Sequence, residues 1–471
     1  MAEKKRSPVC RFRLSERISL FISYPISPTG VLRRGRPRQQ LLTSRSLFIL
    51  AAIALLFLSV VIPNSLQVPT AIALVVCFLS ALPGFKISSG VRTVLLFYAC
   101  SAIVTLIYIA VGLLHGAPLV SAVQVLIIYV ASPFLWIVVA TCLYTTVGEV
   151  RLIGWFVWLS LLCCISVAIY FSLYETGGAA AVSFFVKTGN VNLHNGYAGA
   201  IMYVYGSLIF LCGAFFSSPE LIRSKLLRVL LLASLFVCAI TSGRSALILS
   251  MPIGLLLGLL LTPHTTGYAG RTSFPMNVLR IGLPVALAAG VAVYAVSRFS
   301  SIQLAVVFDS FINKLAAGGG AHRTGQVRAL FNGILDSNGI GVGHGIGVSY
   351  ISSSEYPWRY ELVWVATILR VGIVGACVYA SVFFYYIARV ARVAARRRLT
   401  VGSKFMFCGF IAAFVASNTN PYIEAFIFQW MYVMPIVGFF LEYSSSRPAA
   451  SGPKMGWIVF DSPRGDKAGP T

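Results

Sequence analysis

Charge is what this chain has least of. Lys, Arg, Asp and Glu make up 11% of its 471 residues, where a soluble domain carries about 25%. Acids are scarcest: 13 Asp and Glu stand against 37 Lys and Arg, for a formal net charge of +24. Apolar residues fill 58% of the chain, in unbroken runs that a soluble core has no use for and a bilayer requires. A water-soluble globular protein is thereby excluded. In a soluble chain such a cationic excess points to nucleic acid. In a membrane protein it orients the chain instead, because Lys and Arg stay on the cytoplasmic side. The predicted class is an all-α polytopic membrane protein with membrane lipid around it and no nucleic-acid partner.

Other absences narrow the chemistry. Of ten cysteines all but Cys10 lie in apolar runs, Cys163-Cys164 is an adjacent pair, and no CxxC or Cys/His ligand spacing occurs. Neither disulfides nor a zinc site is expected, and no metal or cofactor is predicted. Glycine stands at every second position from 339 to 347, but without GxGxxG spacing or a surrounding βαβ unit, so this is no dinucleotide fingerprint.

Twelve apolar runs are long enough to cross a bilayer at about 20 residues each. They fall near 47–64, 68–85, 93–114, 120–144, 152–173, 196–217, 226–241, 245–262, 279–297, 362–387, 405–419 and 423–442. Residues 1–46 carry eleven Lys/Arg, too long and polar for the leading part of a cleaved signal peptide, and read as a basic tail. Part of that tail, 12–26, mixes Arg with Phe, Leu and Ile and reads equally as a segment on an anionic leaflet or as a disordered basic tail. The expected organisation is a tail at 1–46, nine helices over 47–297, a large loop at 298–361, three helices over 362–442 and a polar tail at 443–471. Pro133, midway through the fourth run, predicts a kink or a two-part helix.

With the N-terminus in the cytoplasm, 29 of the 37 basic residues fall inside and eight outside, which satisfies the positive-inside rule. Both termini are then cytoplasmic. The eight outer ones (Lys187, Arg244, Arg298, Lys314, Arg323, Arg328, Arg359 and Arg370) oppose the trend, and six lie in or beside the 298–361 loop. Arg244 occupies a tight Thr241-Ser242-Gly243-Arg244-Ser245 turn between two runs, where a charge is costly unless solvated or paired.

Within the large loop, Val327, Leu330, Phe331, Ile334 and Leu335 repeat at helical spacing and predict a short amphipathic helix. Arg328, Asn332 and Asp336 share its polar flank, and Arg323 opens it on the apolar side. A cation there opposes the helix dipole, but free first-turn amides and a guanidinium together make a corner for phosphate. Gly318-Gly319-Gly320 lets a ligand approach the backbone. His344 sits in the glycine run, where few bulky neighbours are expected, and reads equally as a turn residue or a catalytic one. Glu361, beside Arg359 and Tyr360, reads equally as an ion-pair partner or as a carboxylate able to accept a sugar hydroxyl proton. Asn418, Asn420 and Glu424 offer carbohydrate hydrogen bonds.

Four pieces of this chain, in this order, resemble the O-antigen polymerase and O-antigen ligase superfamily of bacterial inner-membrane glycosyltransferases. They are Thr241-Ser242-Gly243-Arg244-Ser245-Ala246, Arg323 about 18 residues before Gly341-Val342-Gly343, Tyr360-Glu361 leading to Arg370-Val371-Gly372-Ile373-Val374-Gly375, and Asn418-Thr419-Asn420-Pro421-Tyr422. The resemblance implies a GT-C-like fold of about twelve transmembrane helices, with its large periplasmic loop between helices 9 and 10. It also implies transfer of an oligosaccharide from undecaprenyl pyrophosphate at the periplasmic face, without metal or nucleotide sugar. Arg244 and Arg323 would hold the pyrophosphate, with Arg328 a further candidate. Glu361 or His344 would be the base. Arg359, Tyr360, Asn418 and Asn420 would contact glycan, and a chain-length regulator is an implied partner. Ligases of this family carry a His just before the helix after the large loop. Tyr360-Glu361 stands there in this chain, so the pattern is closer to the polymerases. A flippase or transporter is the rival reading; repeated halves and midplane charges characterise those folds, whereas here the charges gather on one side.

Overall fold

The computed structural model describes residues 38–63, 66–183, 192–194, 197–199, 205–242, 245–262, 274–299, 306, 309, 321–349, 356–418 and 420–444. The chain divides into Met1–Thr43 and Ser44–Thr471. Helices dominate. They are α1 (Arg38–Val60), α2 (Gln67–Ala81), α3 (Ser89–Leu114), α4 (Leu119–Val125), a π-turn (Leu126–Ala131), α5 (Ser132–Thr146) and α6 (Glu149–Ala181). A two-stranded antiparallel hairpin follows, β1 (Asn192–His194) and β2 (Tyr197–Gly199). Next come α7 (Ser207–Ser217), α8 (Lys225–Thr241), α9 (Ser245–Leu261), α10 (Phe274–Phe299) and α11 (Ala321–Asp336). The last are α12 (Val363–Ala395), α13 (Val401–Ala416) and α14 (Trp430–Ser444).

Each of the twelve predicted apolar runs contains helix, but the run at 196–217 includes the strand Tyr197–Gly199 and, in its described part, is helical only over Ser207–Ser217. Among the described residues, seven stretches are long and apolar enough to cross a membrane, and four more helices are apolar but shorter, α7, α9 and α13 among them. The chain is a helical membrane protein. Several starts are written locally: Ser88, Ser224 and Thr400 accept hydrogen bonds from the amides of Val91, Leu227 and Ser403, satisfying donors that a helix start leaves open. Small residues set the packing of α7, α9 and α13. A Cβ on Gly254 would stand 2.3 Å from the carbonyl oxygen of Gly213, and one on Gly258 2.4 Å from that of Ser217. Backbones in contact, with small residues four apart, are how membrane helices gain dispersion energy without a hydrophobic drive.

Two irregularities shape the region around the candidate site. Pro133 lies just after the π-turn, where it supplies no N–H to the preceding turn. Side chains take carbonyls of this turn: Tyr98 donates to Val130 at 3.1 Å and Gln429 to Ile128 at 2.7 Å. The predicted kink is thus a π-turn held from two neighbours, a device often found at functional sites.

The second irregularity corrects the sequence reading of 362–387 as one straight crossing. Gly372 has φ 67° and ψ 176° inside α12. The rings of Trp364 and Phe383 lie 6.1 Å apart, although 19 residues of unbroken helix are about 28 Å long. The chain therefore doubles back at Gly372, leaving a short first arm (363–371) and a long second arm (373–395). α11 runs beside the first arm in the same direction. Contacts climb in step: Arg323 with Glu361, Gln326 with Leu362, Gly333 with Leu369, and Gly339 with Ile373. The last predicted run, 423–442, is corrected too. Tyr422–Glu424 and Phe426–Phe428 are 3-10 turns, and the helix starts only at Trp430.

Candidate active site

The parallel course of α11 and the first arm brings two helix starts together at Arg323 and Glu361. Helix N-termini favour negative charge, and Glu361 supplies it just before Val363. Arg323 Nε donates to Glu361 Oε2 at 3.3 Å, with the side chains 27% and 42% exposed. A pair so open to solvent holds by only about 0–1 kcal/mol. One turn along, Gln326 is fully buried and accepts a hydrogen bond from the Leu362 amide at 3.2 Å. Its Nε2 meets no hydrogen-bond partner among the described residues.

The six residues 356–361 are the meeting point of three arginines. Arg323 reaches Glu361. Arg359 lies 4.3 Å over the Tyr356 ring and donates to Gln124 Oε1 at 3.1 Å. Arg370 enters from behind, donating through Nη2 to the Trp358 carbonyl at 2.8 Å and standing 6.0 Å from the Tyr360 ring centre. Tyr360 in turn accepts from the Val348 amide at 2.7 Å.

Arg370 is buried and pairs through Nη1 with Glu424, whose Oε1 also accepts from Tyr129 in the π-turn at 2.7 Å. A charge taken out of water needs a partner and further hydrogen bonds, and here Glu424, Tyr129 and Trp358 provide them. The 3-10 turns at 422–428, read from sequence as helix, place Glu424 where it meets Tyr129.

His344 is 2% exposed, its ring 5.5 Å from Tyr129, which itself stacks on Tyr379 at 5.6 Å. This corrects the expectation of few bulky neighbours. Burial, then the Arg370 guanidinium, lowers its imidazole from the ordinary 6.5 to about 3. Thr105 donates to Ser101 O, so Tyr379 donates to Thr105 at 2.7 Å and is left to accept from His344 Nε2 at 3.4 Å. The ring is neutral, with Nδ1 bare and without a partner among the described residues. An apolar cavity of about 160 Å³ borders this cluster, lined by Tyr129, Tyr379, Trp364, Thr367, Phe383 and Gln429 among others.

The glycine run is a wedge between α3 and the fold of α12. Val342 and Gly343 donate to the Leu369 and Arg370 carbonyls, and His344 to that of Tyr108, each at 2.9 Å. Those α12 carbonyls lost their helical partners at Gly372, so the wedge replaces hydrogen bonds the break removed.

The predicted residues thus fall into separate groups. Arg323 and Glu361 are joined; Arg359 and Tyr360 flank them. His344 belongs to the buried cluster and makes no hydrogen bond to either member of that pair. Arg328 is exposed on the far flank of α11. Asn418 turns its amide back to its own helix, donating to Val415 O at 3.0 Å, and Asn420 is half-buried. Arg244 lies outside the described residues. The sequence reading missed Tyr129, Tyr379, Gln326 and the burial of Arg370; a charge in an apolar run and Pro133 beside Tyr129 were the available signals. Among the described residues no group of three His, Cys, Asp or Glu is placed to hold a metal ion. No protein-family model, no curated protein and no solved structure matches the chain.

Proposed function

We propose that this protein polymerises a surface polysaccharide, transferring an oligosaccharide from undecaprenyl pyrophosphate to an acceptor sugar hydroxyl at the periplasmic face of the bacterial inner membrane. The observation that carries this is the convergence of Arg323, Arg359 and Arg370 on residues 356–361, where two helix starts meet. The ordered motifs that resemble the polymerase and ligase superfamily support it. A departing diphosphate builds negative charge, and guanidinium groups stabilise it in place. Arg323 is the one to do so, because its partner is weakly held. A multiply charged diphosphate displaces the half-exposed carboxylate of Glu361, whereas Arg370 stays committed to Glu424 and positions the segment.

That exchange has a second effect. Glu361, released from Arg323, is left beside the donor as a free carboxylate. The acceptor oxygen attacks the anomeric carbon, the bond from that carbon to the diphosphate oxygen breaks, and the acceptor proton passes to Glu361. Configuration inverts in the single displacement. Glu361 suits the base role better than His344, which is buried and has its imidazole lowered to about 3.

The test is the purified protein in liposomes with an undecaprenyl-pyrophosphate-linked repeat unit. A polymerase yields a ladder of glycan lengths, lost in Arg323→Ala and Glu361→Gln at unchanged protein level. A glycan conjugate formed only when lipid A-core is added indicates a ligase instead. Movement of the lipid without new glycosidic bonds indicates a flippase, and either result overturns the proposal.

A further inference from the structure

The exposed face of α11 is divided lengthwise. Leu330 and Gln326 point inward and are fully buried, but Val327, Phe331 and Leu335 are exposed, Phe331 by 56%. They form one flank, joined by Thr324. Arg328, Asn332 and Asp336 form the other, also exposed. Such a face suits a border between hydrocarbon and water.

What covers the apolar flank follows from its neighbours. Ile340, at its end, is exposed, and the preceding Gly339 touches Ile373 of the second arm. Ile373, Val374 and Phe384 are exposed apolar residues of a membrane-crossing helix, so lipid is their solvent. From Ile373 to the residue before Arg389 that arm is about 24 Å long, within a hydrocarbon core of about 30 Å. Trp364 lies beside Phe383, so the first arm runs alongside this stretch. Arg323 and Glu361 are bonded to each other just before the first arm begins, and α11 runs beside that arm.

We propose that lipid acyl chains cover the flank made by Val327, Phe331 and Leu335, continuing the lipid-facing surface of the second arm to the Arg323–Glu361 pair, while the Arg328, Asn332 and Asp336 flank faces water. The pair then opens sideways to the bilayer, and an amphiphile with an anionic head reaches it without leaving the membrane. The inference stands on the fold and does not depend on the chemistry proposed above.

The experiment places the photo-crosslinker p-benzoylphenylalanine singly at Phe331, Leu335, Asn332 and Ile373 of the full-length protein. Each variant is illuminated in nanodiscs of phosphatidylethanolamine and phosphatidylglycerol, and adducts are read by mass spectrometry. Lipid adducts are expected at 331 and 335 in yields comparable to 373, with a marked loss at 332. Positions 331 and 335 behaving like 332, or linking to a second polypeptide, overturns the proposal. No substrate is used, so failure of the glycan ladder leaves this result independent.

Discussion

His344 carries its function, or its lack of one, in what surrounds it. A histidine in a glycine-rich segment offers a sequence reader no neighbours, because its contacts, Tyr129 and Tyr379, lie 215 and 35 residues away. Once packed, the ring is neutral, and that has a measurable consequence. Its folded value, about 3, lies below the ordinary 6.5, so the unfolded chain takes up the proton first as pH falls. Stability is full above pH 6.5 and declines as pH drops toward 3, by about 1.4 kcal/mol per pH unit at most. We expect thermal unfolding in detergent to shift to lower temperature from pH 6.5 to 4. The His344→Phe variant, which keeps the aromatic packing, should show a flatter dependence; equal slopes would discard the buried neutral imidazole. Arg370 and Glu424 illustrate the same limit of legibility. Each is readable as a charge in or beside an apolar run, but 54 residues separate them and only the fold reveals that they are partners.

Among elements, α12 carries the most information. Its apolar composition is legible because a bilayer requires a run of that length. Its reversal is not, because hydrophobicity does not encode direction and a glycine in an apolar helix is commonplace. Gly372 is needed for two reasons at once: φ is positive, and a Cβ there would lie 2.1 Å from the Ile340 carbonyl oxygen. Gly343 is as constrained, with φ 98° and a Cβ 2.3 Å from the Gly112 amide nitrogen. Both are backbone contacts that cannot move aside. Gly372→Ala and Gly343→Ala should each destabilise the protein by more than about 2 kcal/mol, combining a left-handed conformation penalty with overpacking. Gly290, in α10 with nothing within 4 Å of a Cβ, is the control, and Gly290→Ala should be neutral or stabilising by up to about 1 kcal/mol. Melting curves of the three variants in one detergent check this. Equal effects at all three positions would contradict the wedge. The amphipathic α11 was legible as a helix from its spacing. Which apolar residues face inward was not legible, because apolar residues against lipid follow the same pattern as apolar residues against a core.

For the whole molecule, scarcity of charge makes the placement of each charge informative. Two guanidinium–carboxylate pairs converge on residues 356–361 and differ in kind. Arg370 is buried and Glu424 nearly so, and removing one partner would strand the other at a cost of about 3–5 kcal/mol. Arg323 and Glu361 are partly exposed and weakly held, and the proposed exchange of the carboxylate for a diphosphate rests on that difference. Three helix-scale devices converge on them: the fold at Gly372, the parallel course of α11, and the 3-10 turns that place Glu424. On the proposed function, Glu361 stands in for the diphosphate until the donor arrives. The most direct measurement is binding of radiolabelled undecaprenyl pyrophosphate to the reconstituted protein and two variants. Arg323→Ala should weaken binding by about tenfold or more, the worth of one charge-assisted hydrogen-bonding group. Glu361→Gln, which removes the competing carboxylate, should bind at least as tightly as the parent while failing to turn over. Undiminished binding by Arg323→Ala, or weakened binding by Glu361→Gln, would contradict the account.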